Sequence, residues 1–168
     1  MAKNPLNDQM DEQRFLQAVN YVRQASGSIK KINSGELEHL NKILIEGDSD
    51  TWRFSEMQVQ IPSGKSHLFS LMSNPIAKAR EIIGNAVQMA GNREPKKAAE
   101  YLYCELILGH LFQDANRRTA VLATLWLLYS EGYSIDPQQF LEIPVGDLRV
   151  DVDRRNFSEK FQSLLAED

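Results

Sequence analysis

Two strongly apolar helices separated by a short polar segment restrict the fold of this chain more than any other feature. One predicted helix begins at Pro95 and stops near His110 or Phe112, and the next covers about Asn116 to Glu131. Both are apolar over more than half of their circumference, which is typical of helices that are buried on most sides. We therefore expect these two helices to form the centre of the protein.

The other apolar residues also recur mostly at helical spacing. Residues 1 to about 10 are expected to form a loose tail. Capping residues, prolines and glycines then set the ends of the remaining helices. These helices are predicted from about Asp11 to Gly27, from Ser34 as N-cap to Gly47 and Asp48, from Asn74-Pro75 to Gly91, over a short stretch from Asp136-Pro137, and from about Asn156 to Leu165.

Residues 52 to 69 have a different pattern. Apolar and polar side chains alternate, imperfectly, between residues 52 and 61, and the extended pattern resumes at residues 67–69. The turn signal Pro62-Ser-Gly-Lys65 lies between the two stretches, so a β-hairpin is predicted. The expected fold class is all-α: a helical bundle with one β-hairpin, built as a single domain.

Composition excludes several classes of protein. The chain has 168 residues, of which 42% are hydrophobic and 25% charged, as in an ordinary globular protein with one core. The net charge of −4 gives no overall attraction to nucleic acid or to an anionic membrane, and neither is an expected partner. No apolar run approaches the roughly 18 residues of a membrane span. The first 11 residues lack the apolar core of a signal peptide, so we expect a cytoplasmic protein, with signal-less secretion left open.

Cys104 is the only cysteine, which excludes an intramolecular disulfide. Its neighbours, Tyr101-Leu-Tyr-Cys-Glu-Leu-Ile-Leu108, are mostly apolar and predict a buried thiol in the core. A reducing compartment is consistent with this residue.

The polar segment between the two central helices, His110-Leu-Phe-Gln-Asp-Ala-Asn-Arg-Arg-Thr119, is called the motif segment below. It combines an imidazole, a carboxylate, an amide and two guanidinium groups near the core, where unpaired polar groups cost roughly 1–3 kcal/mol each. If Asn116 or its neighbour caps the second helix, the backbone N–H groups from Ala115 to Thr119 form an anion site. Arg117 and Arg118 oppose the helix dipole there, and a polyphosphate would resolve that conflict.

The other polar residues of the motif segment suit chemistry on such a polyphosphate. Asp114 precedes the anion site, where a carboxylate can hold Mg²⁺ against phosphate oxygens. His110, at the end of the preceding helix, can accept a proton from an attacking hydroxyl. Taken singly, a histidine at a helix end, an Asp-Ala-Asn capping turn and an Arg-Arg pair are usually structural. Their joint order and spacing favour a functional site.

The motif segment resembles the Fic motif, His-x-Phe-x-Asp/Glu-Gly-Asn-Gly-Arg-x-x-Arg. The matching positions are His110, Phe112, Asp114, Asn116 and Arg118. The resemblance implies that His110 is the general base and Asp114 the Mg²⁺ ligand. It also implies that Asn116 shapes the anion hole and that Arg118 stabilises phosphate charge. ATP is the implied donor, and the backbone and side chains from Ala115 to Thr119 would bind it.

Three positions depart from the Fic pattern: Ala115 and Arg117 replace glycines, and Val121 replaces the second arginine. The departures resemble the death-on-curing (Doc) toxin branch, which also keeps the residues matching Thr119-Ala120. A guanidinium at position 117 occupies space that a glycine would leave to phosphates, so the nucleotide is expected to present its γ-phosphate. This favours phosphoryl transfer over AMP transfer (AMPylation). The loss of the second arginine leaves open a degenerate protein that binds nucleotide or a partner without turnover.

The resemblance covers about residues 34–133, and the expected division is an N-terminal tail and helix (1–33), a Fic/Doc-like core (34–133) and a C-terminal helical extension (134–168). It implies that the hairpin at 52–69 binds an extended stretch of the target protein, and that a separate antitoxin chain inhibits the enzyme. Ser163 to Asp168 comes near an inhibitory pattern, Ser/Thr-x-x-x-Glu-Gly/Asn, but its last residue differs. Autoinhibition by Glu167 is therefore not expected.

A helical nucleic-acid binder using Arg117 and Arg118 is a remote third class of function, which the acidic net charge disfavours.

Overall fold

The computed structural model describes residues 5–46, 50–61 and 64–166. Over these residues the chain forms seven helices and one hairpin, which confirms the predicted fold class. The elements are α1 (Pro5–Ser26), α2 (Ser34–Ile45), β1 (Met57–Gln60), β2 (Ser66–Phe69), α3 (Pro75–Gly91), α4 (Pro95–Gly109), α5 (Asn116–Ser130), α6 (Pro137–Glu142) and α7 (Asp151–Ala166).

Helix α5 is the centre of the molecule. Every residue from Thr119 to Leu128 is buried, and α1, α2, α4 and α6 all pack against this helix. α3 and α7 in turn pack on α4. Since each fully buried Leu, Ile or Phe contributes roughly 1.5–3 kcal/mol, α4 and α5 anchor the core as their sequence predicts.

Several predicted helix starts match the structure. The Asn74 side chain accepts the N–H of Ala77, with Pro75 in the first turn of α3. The Asp136 carboxylate accepts two N–H groups at the start of α6. Gly132 has a φ of 87°, as expected of a glycine that follows a helix C-terminus.

Three other ends differ from the prediction. α1 begins at Pro5, so the loose tail predicted up to residue 10 is wrong from residue 5 onward. The N-cap of α2 is Asn33 and not Ser34, because the Asn33 side chain accepts the N–H of Glu36. α7 begins at Asp151, five residues before the predicted start at Asn156. The predicted end of α2 at residues 47–48 and the turn residues 62–63 lie outside the described residues.

The hairpin is shorter than predicted. β1 pairs with β2 in antiparallel register from Met57↔Phe69 to Gln60↔Ser66. Trp52 is not part of it, since it forms an antiparallel bridge with Phe112 in the motif segment. Residues 51–53 are extended because they pair with residues 111–113, which explains why the alternation before residue 57 is imperfect.

Cys104 is buried, as predicted, and burial raises the pKa of its thiol to about 12. A thiol with that pKa is protonated and unreactive at neutral pH. Among the helices of the described residues, none has the length and the apolar character that crossing a membrane requires. The boundaries at residues 33 and 133 stay a prediction.

Candidate functional site

The motif segment turns sharply at both of its helix junctions. His110 ends α4 with a φ of 45°, and Ala115 precedes α5 with a φ of 57°. Both are left-handed conformations, which cost a residue with a Cβ roughly 1–2 kcal/mol. A glycine, which the Fic pattern has at position 115, adopts this conformation without that cost. Here the surrounding contacts must hold an alanine in that conformation.

Asn116 stabilises the motif segment through side-chain hydrogen bonds within that segment. Its Oδ1 accepts the N–H of Phe112 at 2.9 Å, and its Nδ2 donates to the Phe112 carbonyl at 2.8 Å. The N-cap position of α5 is occupied by Ala115, without a side-chain cap. Nδ2 of Asn116 also lies 3.2 Å from Nε2 of His110. Because the Phe112 contacts fix the amide orientation, the second amide hydrogen faces Nε2, and that ring nitrogen is the unprotonated acceptor.

The His110 ring is held on its other side by the hairpin. It stacks on Phe69 of β2, with ring centroids 4.3 Å apart and an interplanar angle of 16°. Burial and, to a smaller extent, the positive charge of Arg53 lower the pKa of His110 to about 4, against the opposing effect of Asp114. The imidazole is therefore neutral at pH 7 and able to accept a proton.

Asp114 is exposed beside this imidazole. One of its carboxylate oxygens accepts the N–H of Ala115, and its carbonyl accepts Nδ2 of Asn41 at 2.9 Å. In residues 5–46, 50–61 and 64–166, no three His, Cys, Asp or Glu side chains converge on a common metal position. A single carboxylate fits Mg²⁺, which is commonly held by one or two carboxylates together with substrate phosphates and water.

The two arginines of the motif segment have partners within the chain. Nη2 of Arg117 donates to the carbonyls of Leu141 and Ile143, both at 2.7 Å, at the C-terminal end of α6. Nη1 of Arg118 lies 3.5 Å from the carboxylate of Asp11 in α1. Internal carbonyls and one carboxylate therefore already offset part of the repulsion between these cations and the α5 dipole.

Thr119 does not face the site. Its N–H donates to the Ala115 carbonyl at 2.9 Å, and its hydroxyl accepts Nδ2 of Asn41 at 3.0 Å. The residue is 1% exposed. The expectation that Thr119 offers a free donor to phosphate is wrong, because the helix is already hydrogen-bonded at this position. The first-turn N–H groups at positions 116–118 are those that a helix leaves without a partner.

A cavity of about 530 Å³ lies in front of the α5 N-terminus. The motif segment from Gln113 to Arg118 and the His110 ring form one part of its lining. β1 and Phe69 form a second wall, and residues 145–149, in the turn after α6, form a third. The cavity thus brings together all the predicted site residues except Thr119.

Two buried polar residues that support the site were missed by sequence reasoning. Arg53 is 1% exposed and donates to four carbonyls, those of Ser55, Ser70, Gly109 and His110. Asn41 is fully buried and links α2 to Asp114 and Thr119. The signal for Asn41 was its place in the apolar stripe of α2, four residues after Leu37. For Arg53 the sequence offered no signal, because its partners are backbone groups from distant segments.

Comparison with known proteins supports a relationship in fold. No protein-family model matches the sequence, and no curated protein matches it either. Solved structures do match, at 17% identity or less. A Fic-domain-containing signaling protein from Bacteroides thetaiotaomicron is 17% identical with a TM-score of 0.73, and the match covers 99% of this chain and 72% of that protein.

Two crystal structures of IbpAFic2 also match. The complex of an IbpAFic2 variant with adenylylated Cdc42 has a TM-score of 0.67 at 16% identity, covering 99% of this chain and 58% of that one. IbpAFic2 covalently tethered to Cdc42 has a TM-score of 0.65 at 17% identity, covering 94% and 55%. This chain therefore spans little more than half the length of these two structures. The helical core, the hairpin and these matches together show that the chain has the fold of Fic-domain proteins.

Proposed function

We propose that this protein transfers a phosphate-containing group from Mg²⁺-ATP to a Ser, Thr or Tyr hydroxyl of a target protein. The observation that carries the proposal is the neutral His110 imidazole, 3.2 Å from Asn116, in a cavity at the N-terminus of α5. An anion site and a proton acceptor in one cavity are the two elements that such a transfer needs. The fold of Fic-domain structures and the motif segment support the same reaction.

In the proposed mechanism, the first turn of α5 and Arg118 bind the phosphate chain. Mg²⁺, held by Asp114, would neutralise charge on the phosphates. When the target hydroxyl replaces Nδ2 of Asn116 at the lone pair of His110 Nε2, this nitrogen removes the hydroxyl proton as the hydroxyl oxygen forms a bond to phosphorus. The bond from that phosphorus to the departing phosphate oxygen breaks, releasing ADP if the γ-phosphoryl group is transferred, or pyrophosphate if AMP is transferred. Asn116 holds the imidazole and the loop in position.

Phosphoryl transfer is our first candidate, supported by the Doc-like residues Ala115, Arg117 and Thr119-Ala120. AMP transfer is the second, and a specific observation favours it. Nη2 of Arg117 is directed to the α6 carbonyls, so the guanidinium is drawn away from the space that a glycine would leave to phosphates. A neighbour in fold was also crystallised with adenylylated Cdc42.

ATP labelled at the α- or γ-phosphorus distinguishes these candidates. With a target-containing lysate, we expect label to reach protein from γ-labelled ATP only. Label arriving from α-labelled ATP alone would overturn phosphoryl transfer in favour of AMP transfer.

His110→Ala is expected to abolish transfer at unchanged thermal stability. His39→Ala, which removes a histidine of α2 outside the cavity, is the matched control and should retain activity.

A protein that binds nucleotide without turnover is the alternative to an enzyme. Val121 is fully buried, so no cation reaches the cavity from that position of α5. Separate measurements of Mg²⁺-ATP affinity and of turnover distinguish the two. Binding in the micromolar range without any transfer or hydrolysis would establish the non-catalytic alternative.

The target protein is proposed to bind along β1, whose side chains line the cavity next to His110. An added strand there would place its hydroxyl near the imidazole.

Inhibition by a separate antitoxin chain and a cytoplasmic location both stay predictions. Glu167 lies outside the described residues.

A further inference from the structure

The turn between α6 and α7 has a fixed structure in the cavity wall. Gly146 has a φ of 60°, and an added Cβ would lie 2.7 Å from the carboxyl group of Asp153. That carboxyl group accepts the N–H of Asp147 at 2.8 Å. Asp147 in turn accepts the N–H of Arg149 at 3.1 Å. Glycine at 146 and these two hydrogen bonds therefore set the path of the chain where it meets the cavity.

Arg149 is held by this turn in a defined orientation. Its Nε donates to one carboxylate oxygen of Asp147 at 2.7 Å, and its Nη2 donates to the other at 2.9 Å. Both residues line the cavity. A guanidinium has five N–H donors, and this fork uses two of them, so the others are available to a ligand. A planar fork of donors matches the geometry of phosphate oxygens.

The other two arginines of the cavity lining also have partners within the chain. Arg117 is bound to the end of α6, and Arg118 faces Asp11 in α1. Both lie on α5, so the phosphate chain would otherwise be contacted from a single wall. Among the residues that line the cavity, Arg149 is the cation that lies on a different wall.

We infer that Arg149 binds the phosphate chain of the donor nucleotide, with Asp147 positioning its guanidinium. This inference rests on the proposed function, because it takes the cavity to be the nucleotide site. It adds a phosphate contact from the turn after α6, which lies outside the motif segment. The apolar part of the same wall, Val145 and Leu148, is buried and anchors the turn to the core.

The test is a comparison of two ligands, Mg²⁺-ATP and tripolyphosphate, on three proteins at fixed ionic strength. Arg149→Ala is expected to weaken binding of both ligands by about tenfold, because one charge-assisted contact is lost. Arg149→Lys keeps the charge but not the planar fork of donors, and its affinity for both ligands should fall about threefold. Arg155→Ala, an exposed arginine of α7 outside the cavity wall, removes the same charge and should bind both ligands like the parent protein.

Three other outcomes would overturn the inference, each for a different reason. Wild-type affinity of Arg149→Ala for both ligands would show that Arg149 has no ligand role, and would leave the proposed function standing. A loss for ATP but not for tripolyphosphate would place Arg149 at the nucleoside end. A parent protein that binds neither ligand would refute the nucleotide site and this inference together. Arg149→Lys keeps the comparison valid if the alanine variant does not fold.

Discussion

At the scale of single residues, Asn116 and His110 are held in place by contacts within the motif segment and with the hairpin. Asn116 uses its amide on both backbone groups of Phe112, and its remaining hydrogen faces His110. The histidine is held between this amide and the ring of Phe69. Burial and the charge of Arg53 keep it neutral. The geometry therefore keeps Nε2 of His110 unprotonated before any ligand binds.

The lowered pKa of His110 predicts an unusual pH profile. A base with a pKa of about 4 stays unprotonated down to weakly acidic pH. We expect kcat/KM for target modification to be nearly constant from about pH 8 to 6, and to fall only as the pH approaches the pKa of this imidazole. An ordinary histidine with a pKa near 6.5 would retain roughly a quarter of its base form at pH 6.

The pH dependence of kcat provides a check on this prediction. Bound polyphosphate is negatively charged and raises the pKa of the imidazole, so the acid limb of kcat should lie at higher pH than that of kcat/KM. A kcat/KM profile with an acid limb near pH 6.5 would contradict the buried, neutral imidazole.

At the scale of elements, the site depends on segments distant in sequence. The extended residues 51–53 pair with the motif segment, and α2 is linked to it through Asn41. Arg53 satisfies the carbonyls at the end of α4, where a helix leaves its last acceptors unpaired. The left-handed turn at His110 is therefore held by a side chain that lies 57 residues earlier.

Removing this arginine should destabilise the whole fold. Arg53→Met leaves several buried carbonyls without a donor, and we expect the free energy of unfolding to fall by about 3–5 kcal/mol. Urea denaturation measures the change. Arg80→Met is the matched control: Arg80 is exposed on α3, and its loss should cost no more than about 0.5 kcal/mol. A loss at Arg53 as small as that at Arg80 would show that its hydrogen bonds are replaceable by water.

At the scale of the whole molecule, the hairpin and the helical core meet at the cavity. The N–H of Ile61 donates to the carbonyl of Lys65, which makes this a hydrogen-bonded pair. Since such pairs alternate in an antiparallel ladder, the backbone groups of Gln58, opposite Leu68, point away from β2. β1 thus has an outer edge that a target strand can join.

A proline at position 58 tests this edge. Gln58→Pro removes one outward N–H without removing a hydrogen bond of the hairpin, and we expect target modification to fall about tenfold. Affinity for Mg²⁺-ATP should be unchanged. Gln58→Ala, which changes the side chain but keeps the N–H, should modify the target normally. Equal activity of the two variants would exclude strand addition along β1.

Local sequence signals predicted most of the fold and the composition of the site. Apolar periodicity located the helices, and proline or capping residues located the starts of α3, α4 and α6, because these effects act within a few residues. Errors occurred where such signals are weak: residues 8–10 of α1 and most of residues 151–156 of α7 are exposed, so no apolar periodicity marks where these helices begin. Thr119 was assigned to the site because its buried partner, Asn41, is distant in sequence.

By itself, the sequence determined an all-α protein with one hairpin and a polar motif segment between its two central helices. Tertiary structure decided how that segment is held: Arg53 and Asn41 reach it from earlier elements, and Arg117 and Arg118 find partners on α6 and α1. The reason is physical. Helix formation depends on neighbours along the chain, whereas the partner of a buried polar group is whichever segment the packed core places beside it.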